Sequence, residues 1–172
     1  NVEDLVIYPA SEVVVSEEEK EVGIAKILEE AEKVSAKFRK EMKTEEAHRI
    51  LSMAKELAEQ WGELSMNAGM DAFLSYFSKE KVGLLDYFDA DDTFIFFDEI
   101  TRSVERGKQT EVEFSESMKQ RLEKGYILPG QMNELYLEKE IIGKCNQFSC
   151  ISFAALDAKA NGLKQQGSFG IH

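Results

Sequence analysis

The run Thr93-Phe94-Ile95-Phe96-Phe97-Asp98-Glu99-Ile100-Thr101 constrains this chain more than any other stretch. A short apolar segment with an acidic turn before it and an Asp-Glu pair after it reads as a buried parallel strand. Such a strand needs helices over both faces, so the fold must alternate strands with helices and close them by right-handed crossovers. Carboxylates at its carboxyl end stand where open α/β sheets bind their ligands. In nucleotide hydrolases that position holds Mg²⁺ and polarises the attacking water. The partner of such a site is a glycine-rich phosphate loop ending in Lys-Ser or Lys-Thr, and none occurs between Asn1 and His172. Asp98 and Glu99 therefore read as an acidic half-site in a fragment or a relic.

A length of 172 residues fits one domain with a real core. The net charge of −12 argues against this segment gripping a phosphate backbone, which needs clustered Lys and Arg. No stretch approaches the roughly 20 apolar residues of a membrane span, and no leader suggests secretion, so a cytoplasmic setting is expected. The start at Asn1-Val2-Glu3 and the stop at Gly170-Ile171-His172 both read as cut ends. Cys145 and Cys150 have no nearby His to complete a zinc site and read as buried free thiols. His48 sits alone among charged residues and is assigned no role.

Along the chain, Leu5 to Pro9 reads as a short strand ended by proline, followed by an extended Val13-Val14-Val15. Ser16 and Glu19 form a capping box that opens a helix. Ile24, Ile27, Leu28, Ala31, Val34, Phe38 and Met42 supply its apolar stripe. Thr44 caps a second helix carrying Ile50, Leu51, Ala54, Leu57, Ala58 and Trp61. The short link Glu41-Met42-Lys43 favours an antiparallel pair, with one unbroken helix as the alternative. Met70 to Phe77 reads as a short helix laying Phe73, Tyr76 and Phe77 into the core. After Asp98-Glu99, a polar helix is expected from Val104 to Lys124, with Gly125 as its C′ residue. Leu128-Pro129-Gly130-Gln131 reads as a fixed loop, Leu135-Tyr136-Leu137 as a short strand, Lys139 to Lys144 as a helix, and Phe148 to Leu156 as another buried strand. From Ala158 onward the Gly, Gln and Lys content suggests an exposed linker.

Four blocks then occur in a telling order: Gly69 to Phe77, Leu84 to Phe88, Phe94 to Glu99, and Leu128-Pro129-Gly130-Gln131. This order resembles the bacterial transcription-repair coupling factor family (Mfd), in the part of its N-terminal module related to UvrB and usually called 1b. The resemblance runs from Ile7 to about Leu156, and the Leu128 and Leu135 to Ile142 stretches are nearer to the coupling factors than to UvrB. It implies a partial RecA-like α/β domain: a small parallel sheet flanked by helices, with a helical-hairpin arm. It places a subdomain over residues 1–157, the arm over 16–61, and a linker or truncated edge over 158–172. The full-length family member is an ATP-dependent DNA translocase. It displaces stalled RNA polymerase and recruits UvrA, moving on double-stranded DNA with ATP and Mg²⁺ bound in a separate motor. Residues Asn1 to Pro9 then correspond to the exit strand of the UvrA-contacting subdomain.

Measured against that pattern, Asp98-Glu99 matches the acidic (Walker B-like) motif, but Ile100-Thr101 follows where UvrB has Ser-His. Phe153-Ala154-Ala155 stands where helicase-like folds carry Ser-Ala-Thr, the motif III that couples nucleotide state to DNA. Both sites read as vestigial, with no catalytic, cofactor or metal ligand in this segment. Asp98 is then expected to cap the following helix or accept backbone hydrogen bonds. Phe94, Phe96 and Phe97 are expected in the core rather than stacked on bases. The expected function is a non-catalytic scaffold that contacts other domains of its own protein. Acidic faces at Glu29, Glu30, Glu45 and Glu46 would be available to those partners. Two rivals stand: a UvrB-like ATP-binding segment whose phosphate loop lies upstream, and an unrelated acidic α/β domain dimerising through its helical arm.

Overall fold

The computed structural model describes residues 14–63, 69–78, 80, 82–155, 162–164 and 167. The expected strand at Leu5 to Pro9 and most of the expected linker lie outside the described residues. The chain forms two compact units: Asn1–Lys81 with Met118–Glu134, and Val82–Ser117 with Leu135–His172.

In the first unit, α1 (Glu17–Lys40) and α2 (Thr44–Glu63) form an antiparallel hairpin. The capping box at Ser16 opens α1 as the sequence indicates: the Glu19 carboxylate accepts from the Ser16 N–H at 2.8 Å, and the Ser16 hydroxyl accepts from the Glu19 N–H at 3.2 Å. Met42 takes a left-handed φ of 63° to reverse the chain, and the Lys43 N–H donates to the Phe38 carbonyl at 2.9 Å. Within the hairpin the buried Ser35 hydroxyl donates to the Ala47 carbonyl at 2.9 Å. Ile27, Ala31 and Phe38 of α1 and Ala47, Ile50, Ala54 and Trp61 of α2 face inward, so the stripes read from periodicity are the core stripes except at Met42, which lies past the end of α1 in the left-handed turn and is exposed.

A 3-10 turn at Met70–Phe73 and the single-turn α3 (Leu74–Phe77) lay Phe73, Tyr76 and Phe77 on this hairpin. Trp61 meets Phe73 and Phe77 edge-on at 5.3 and 5.6 Å. Leu128 completes the cluster. The loop that follows it is fastened by polar contacts. Buried Gln131 accepts from the Leu128 N–H and donates to the Ala72 carbonyl, each at 2.9 Å. Ser75 donates to the Gly130 carbonyl at 3.0 Å.

In the second unit, β1 (Phe94–Asp98) pairs in parallel with β2 (Ser149–Phe153), from Phe94↔Ser149 to Asp98↔Phe153. Between them lie α4 (Ile100–Glu123), whose last turns belong to the first unit, and α5 (Glu138–Cys145). Ile100, Val104 and Ile142 bury themselves with Phe97. Leu84–Tyr87 is a 3-10 turn clasped by Asp86, which accepts from the Gly83 N–H at 2.7 Å and pairs with Lys144. Gly125 is the C′ residue of α4 with φ 67°. It donates to Leu122 and Tyr126 donates to Arg121, a Schellman pair.

Three expectations need correction. Leu135-Tyr136-Leu137 is not a strand, and the described sheet has two strands only. The polar helix starts at Ile100 rather than Val104. The strand is not buried on both faces: Phe96 is 62 % exposed and Phe153 54 %, their rings stacked at 6.3 Å, and Phe94 is equally open. Alternate side chains leave a strand on opposite faces, and among the described residues helices pack only against the face bearing Phe97. The other face, with Phe94, Phe96, Ile151 and Phe153, is uncovered.

Candidate functional site

The candidate site lies at the carboxyl end of this two-stranded sheet, where Asp98 sits in register with Phe153. Strand alternation sends the Asp98 side chain to the same open face as Phe94 and Phe96, where it is exposed. Glu99 does the opposite. Its backbone adopts φ 54°, in the left-handed region, and turns the chain abruptly from β1 into α4. The Glu99 N–H donates to the Phe153 carbonyl at 2.8 Å, one step past the sheet register. Its carbonyl accepts from Arg102 at 2.9 Å and from Ser103 at 3.3 Å, which opens α4. Its carboxylate accepts from the Ala155 N–H at 2.9 Å. The backbone acceptor anticipated at Asp98 is thus Glu99, because the left-handed turn swings residue 99, not 98, toward the end of β2.

Phe153, Ala154 and Ala155 are all exposed. Phe153 contributes its ring to the stack on Phe96, and Ala155 contributes only a backbone N–H. The methyl groups of the two alanines offer no hydroxyl to sense a ligand. The sequence-derived site residues are brought together here, but as a clasp between two strand ends. The Glu99 carboxylate accepts from the Ala155 N–H, while the neighbouring Asp98 carboxylate is exposed on the open face. Among the described residues no group of three His, Cys, Asp or Glu side chains is placed to hold a metal ion.

Cys145 is buried and Cys150 half-buried, both as free thiols. The Cys150 thiol donates to the Cys145 carbonyl at 3.1 Å, and burial pushes both thiols above their ordinary range. His48 is exposed on α2.

One polar cluster escaped the sequence reading. Glu30, expected on a solvated acidic face, accepts from the Tyr76 hydroxyl and, at 3.3 Å, from the Gly130 N–H. The Tyr76 oxygen accepts from the same N–H at 3.1 Å. Burial, and then the Glu30 carboxylate beside it, push the Tyr76 phenol well above its usual range. The available signal was position: Glu30 lies three residues after Ile27 and four before Val34, on the flank of the buried stripe.

No family model matches the chain. Among curated proteins it is similar to UvrABC system protein B of Streptococcus gordonii, at 36 % identity over 103 residues. The match takes in 57 % of this chain and 15 % of that protein, so the chain spans a small part of its relative's length. The similarity supports a UvrB-like module.

Proposed function

We propose that the chain is a non-catalytic scaffold and interaction segment of an excision-repair protein. The observation that carries this reading is the similarity to UvrABC system protein B, together with a Glu99 carboxylate committed to the Ala155 backbone. At the finer level, the chain is the 1b part of the UvrB-like module of a transcription-repair coupling factor, within a degenerate RecA-like domain. The four sequence blocks and their order support this level. Its parent then uses ATP and Mg²⁺ in a separate motor, acts on RNA polymerase and double-stranded DNA, and recruits UvrA. The segment itself supports neighbouring domains of the parent, with residues 1–157 as the subdomain and 158–172 as its connection. The second reading is an ATP-binding segment of a UvrB-like subunit, favoured by the identity of the matched relative.

Deleting this segment from its parent gene and measuring strand-resolved repair of ultraviolet lesions separates the two. A coupling factor loses only the preference for the transcribed strand. A UvrB-like subunit loses excision on both strands, and that result would refute the finer reading. The non-catalytic reading has its own check: Asp98→Asn with Glu99→Gln in the parent protein leaves ATP hydrolysis unchanged, whereas a live magnesium site would lose at least about 100-fold.

A further inference from the structure

We infer that Glu99 is a conformational latch: it holds the segment after β2 and thereby sets the first turn of α4, a property that goes beyond the repair role proposed above. The φ of 54° at residue 99 belongs to a region that residues bearing a Cβ rarely occupy, and glycine or asparagine is its usual tenant. A glutamate persists there only where the surroundings over-determine it.

Two bonds do so, both to the end of β2: the Glu99 N–H to the Phe153 carbonyl, and the Glu99 carboxylate from the Ala155 N–H. A third set of contacts runs the other way, from the Glu99 carbonyl to the N–H groups of Arg102 and Ser103 in the first turn of α4. Residue 99 is therefore shared between the strand end and the helix start. Ala154 and Ala155 are exposed and the Phe153 ring lies on the open face, so core packing does not hold residues 153–155. The ladder to β1 holds Phe153, and beyond it the Glu99 carboxylate holds the Ala155 N–H. When that segment leaves, the bonds that keep residue 99 left-handed go with it. Its φ then relaxes and the carbonyl that seats α4 turns away. Aspartate is one methylene shorter than glutamate, so the length of the Glu99 side chain is part of the device.

Amide hydrogen exchange on the full 172-residue chain tests this. Glu99→Ala keeps the Cβ but removes the carboxylate, and Ala155→Pro removes the N–H from the other side. Far-UV circular dichroism verifies that each variant retains its helices. Both variants accelerate exchange at Arg102 and Ser103 by about fivefold to tenfold, the effect of losing one ordinary hydrogen bond. Glu99→Gln, which keeps an acceptor oxygen, restores most of the protection. If Arg102 and Ser103 stay within about twofold of the parent chain in both variants, nothing passes from strand end to helix and the latch is refuted. If only one variant unfolds, exchange in the other is read by the same criterion. If both unfold, Glu99→Asp, one methylene too short to reach, decides: faster exchange at Arg102 and Ser103 together with Ala155 supports the latch, and faster exchange at Ala155 alone, or at none of the three, overturns it.

Discussion

Gly23 lies in the middle of α1, where alanine is ordinarily the better residue by about 1 kcal/mol. Here the packing reverses that preference. A methyl group built on Gly23 overlaps the Phe77 ring, and that ring cannot retreat because Trp61, fully buried, meets it edge-on at 5.6 Å. Overpacking a core costs about 1–3 kcal/mol, and a direct overlap with a pinned ring belongs at the upper end. Subtracting the propensity gain leaves Gly23→Ala destabilising by about 2 kcal/mol. Trp61 is the chain's single tryptophan and sits between Phe73 and Phe77, so its fluorescence in a urea titration reports this packing directly. With a slope of about 1–3 kcal/mol per molar urea, the midpoint falls by about 1 M. Gly62→Ala is the control: it is in a helix with nothing within 4 Å of the new methyl, and gains about 0.5–1 kcal/mol. Pairing Gly23→Ala with Phe77→Leu costs less than the sum of the two single changes, because the smaller side chain vacates the contested space. A midpoint for Gly23→Ala at or above that of the parent chain would show that helix propensity wins and that Phe77 does not lie against α1.

Gln131→Ala orphans the Leu128 N–H and the Ala72 carbonyl at about 1–3 kcal/mol each, and the Trp61 transition moves to lower urea accordingly. Ser16→Ala removes the α1 cap and lowers stability by about 1 kcal/mol in the same titration. The Glu19 carboxyl is held below its ordinary value by the Ser16 N–H and then the Ser16 hydroxyl; that of Asp86 is lowered by Lys144 and then by the Gly83 N–H. Depressed carboxyls stabilise the fold above their unfolded values, about 4, and that contribution disappears as pH falls through the folded ones. Urea midpoints measured from pH 6 down to pH 3 therefore fall at the acid end, and Glu19→Gln with Asp86→Asn flattens the fall. Phe96→Ser on the open sheet face lowers stability by about 0.5–1.5 kcal/mol in thermal circular dichroism, the loss of its stack on Phe153, whereas a loss above about 3 kcal/mol would mean that the face is covered.

The helices of the hairpin were legible because their signals are local. Ser16 and Glu19 stand three apart, the apolar stripe repeats at helical spacing, and Gly125 marks the end of α4. The strands at Phe94 and Ser149 were legible as short apolar runs, but their burial was not. An uninterrupted apolar run signals two covered faces only if the sheet is wide enough to carry helices on both, and the number of strands is not a local property. Leu135-Tyr136-Leu137 failed for a related reason. Tyr136 carries strand propensity, yet the segment packs its ring near Gly83 and Lys144 instead of joining a ladder. At the candidate site the residue pair was found and the division of labour within it was missed, since only the left-handed φ at Glu99 decides which carboxylate turns inward.

Six carboxylates share one use, and it bears on how acidic motifs in such a chain should be read. Glu19, Asp86 and Glu140 each reach back three residues to a backbone N–H, at Ser16, Gly83 and Leu137. Glu134, Glu99 and Glu30 do the same across 59, 56 and 100 residues, to Ser75, Ala155 and Gly130. With only two described strands, many backbone donors in the turns have no ladder partner, and an ionised acceptor makes a stronger bond than a neutral one. Three of the four blocks singled out in the sequence contain or receive one of these bonds through a long-range partner: Ser75, Glu99 and Gly130. The fourth contains Asp86. An Asp-Glu pair after an apolar strand is therefore insufficient evidence for metal chemistry in this chain. The same residue type performs the same backbone-holding task at sites that have no resemblance to a nucleotide motif, and Glu99 joins that set by geometry as well as by chemistry.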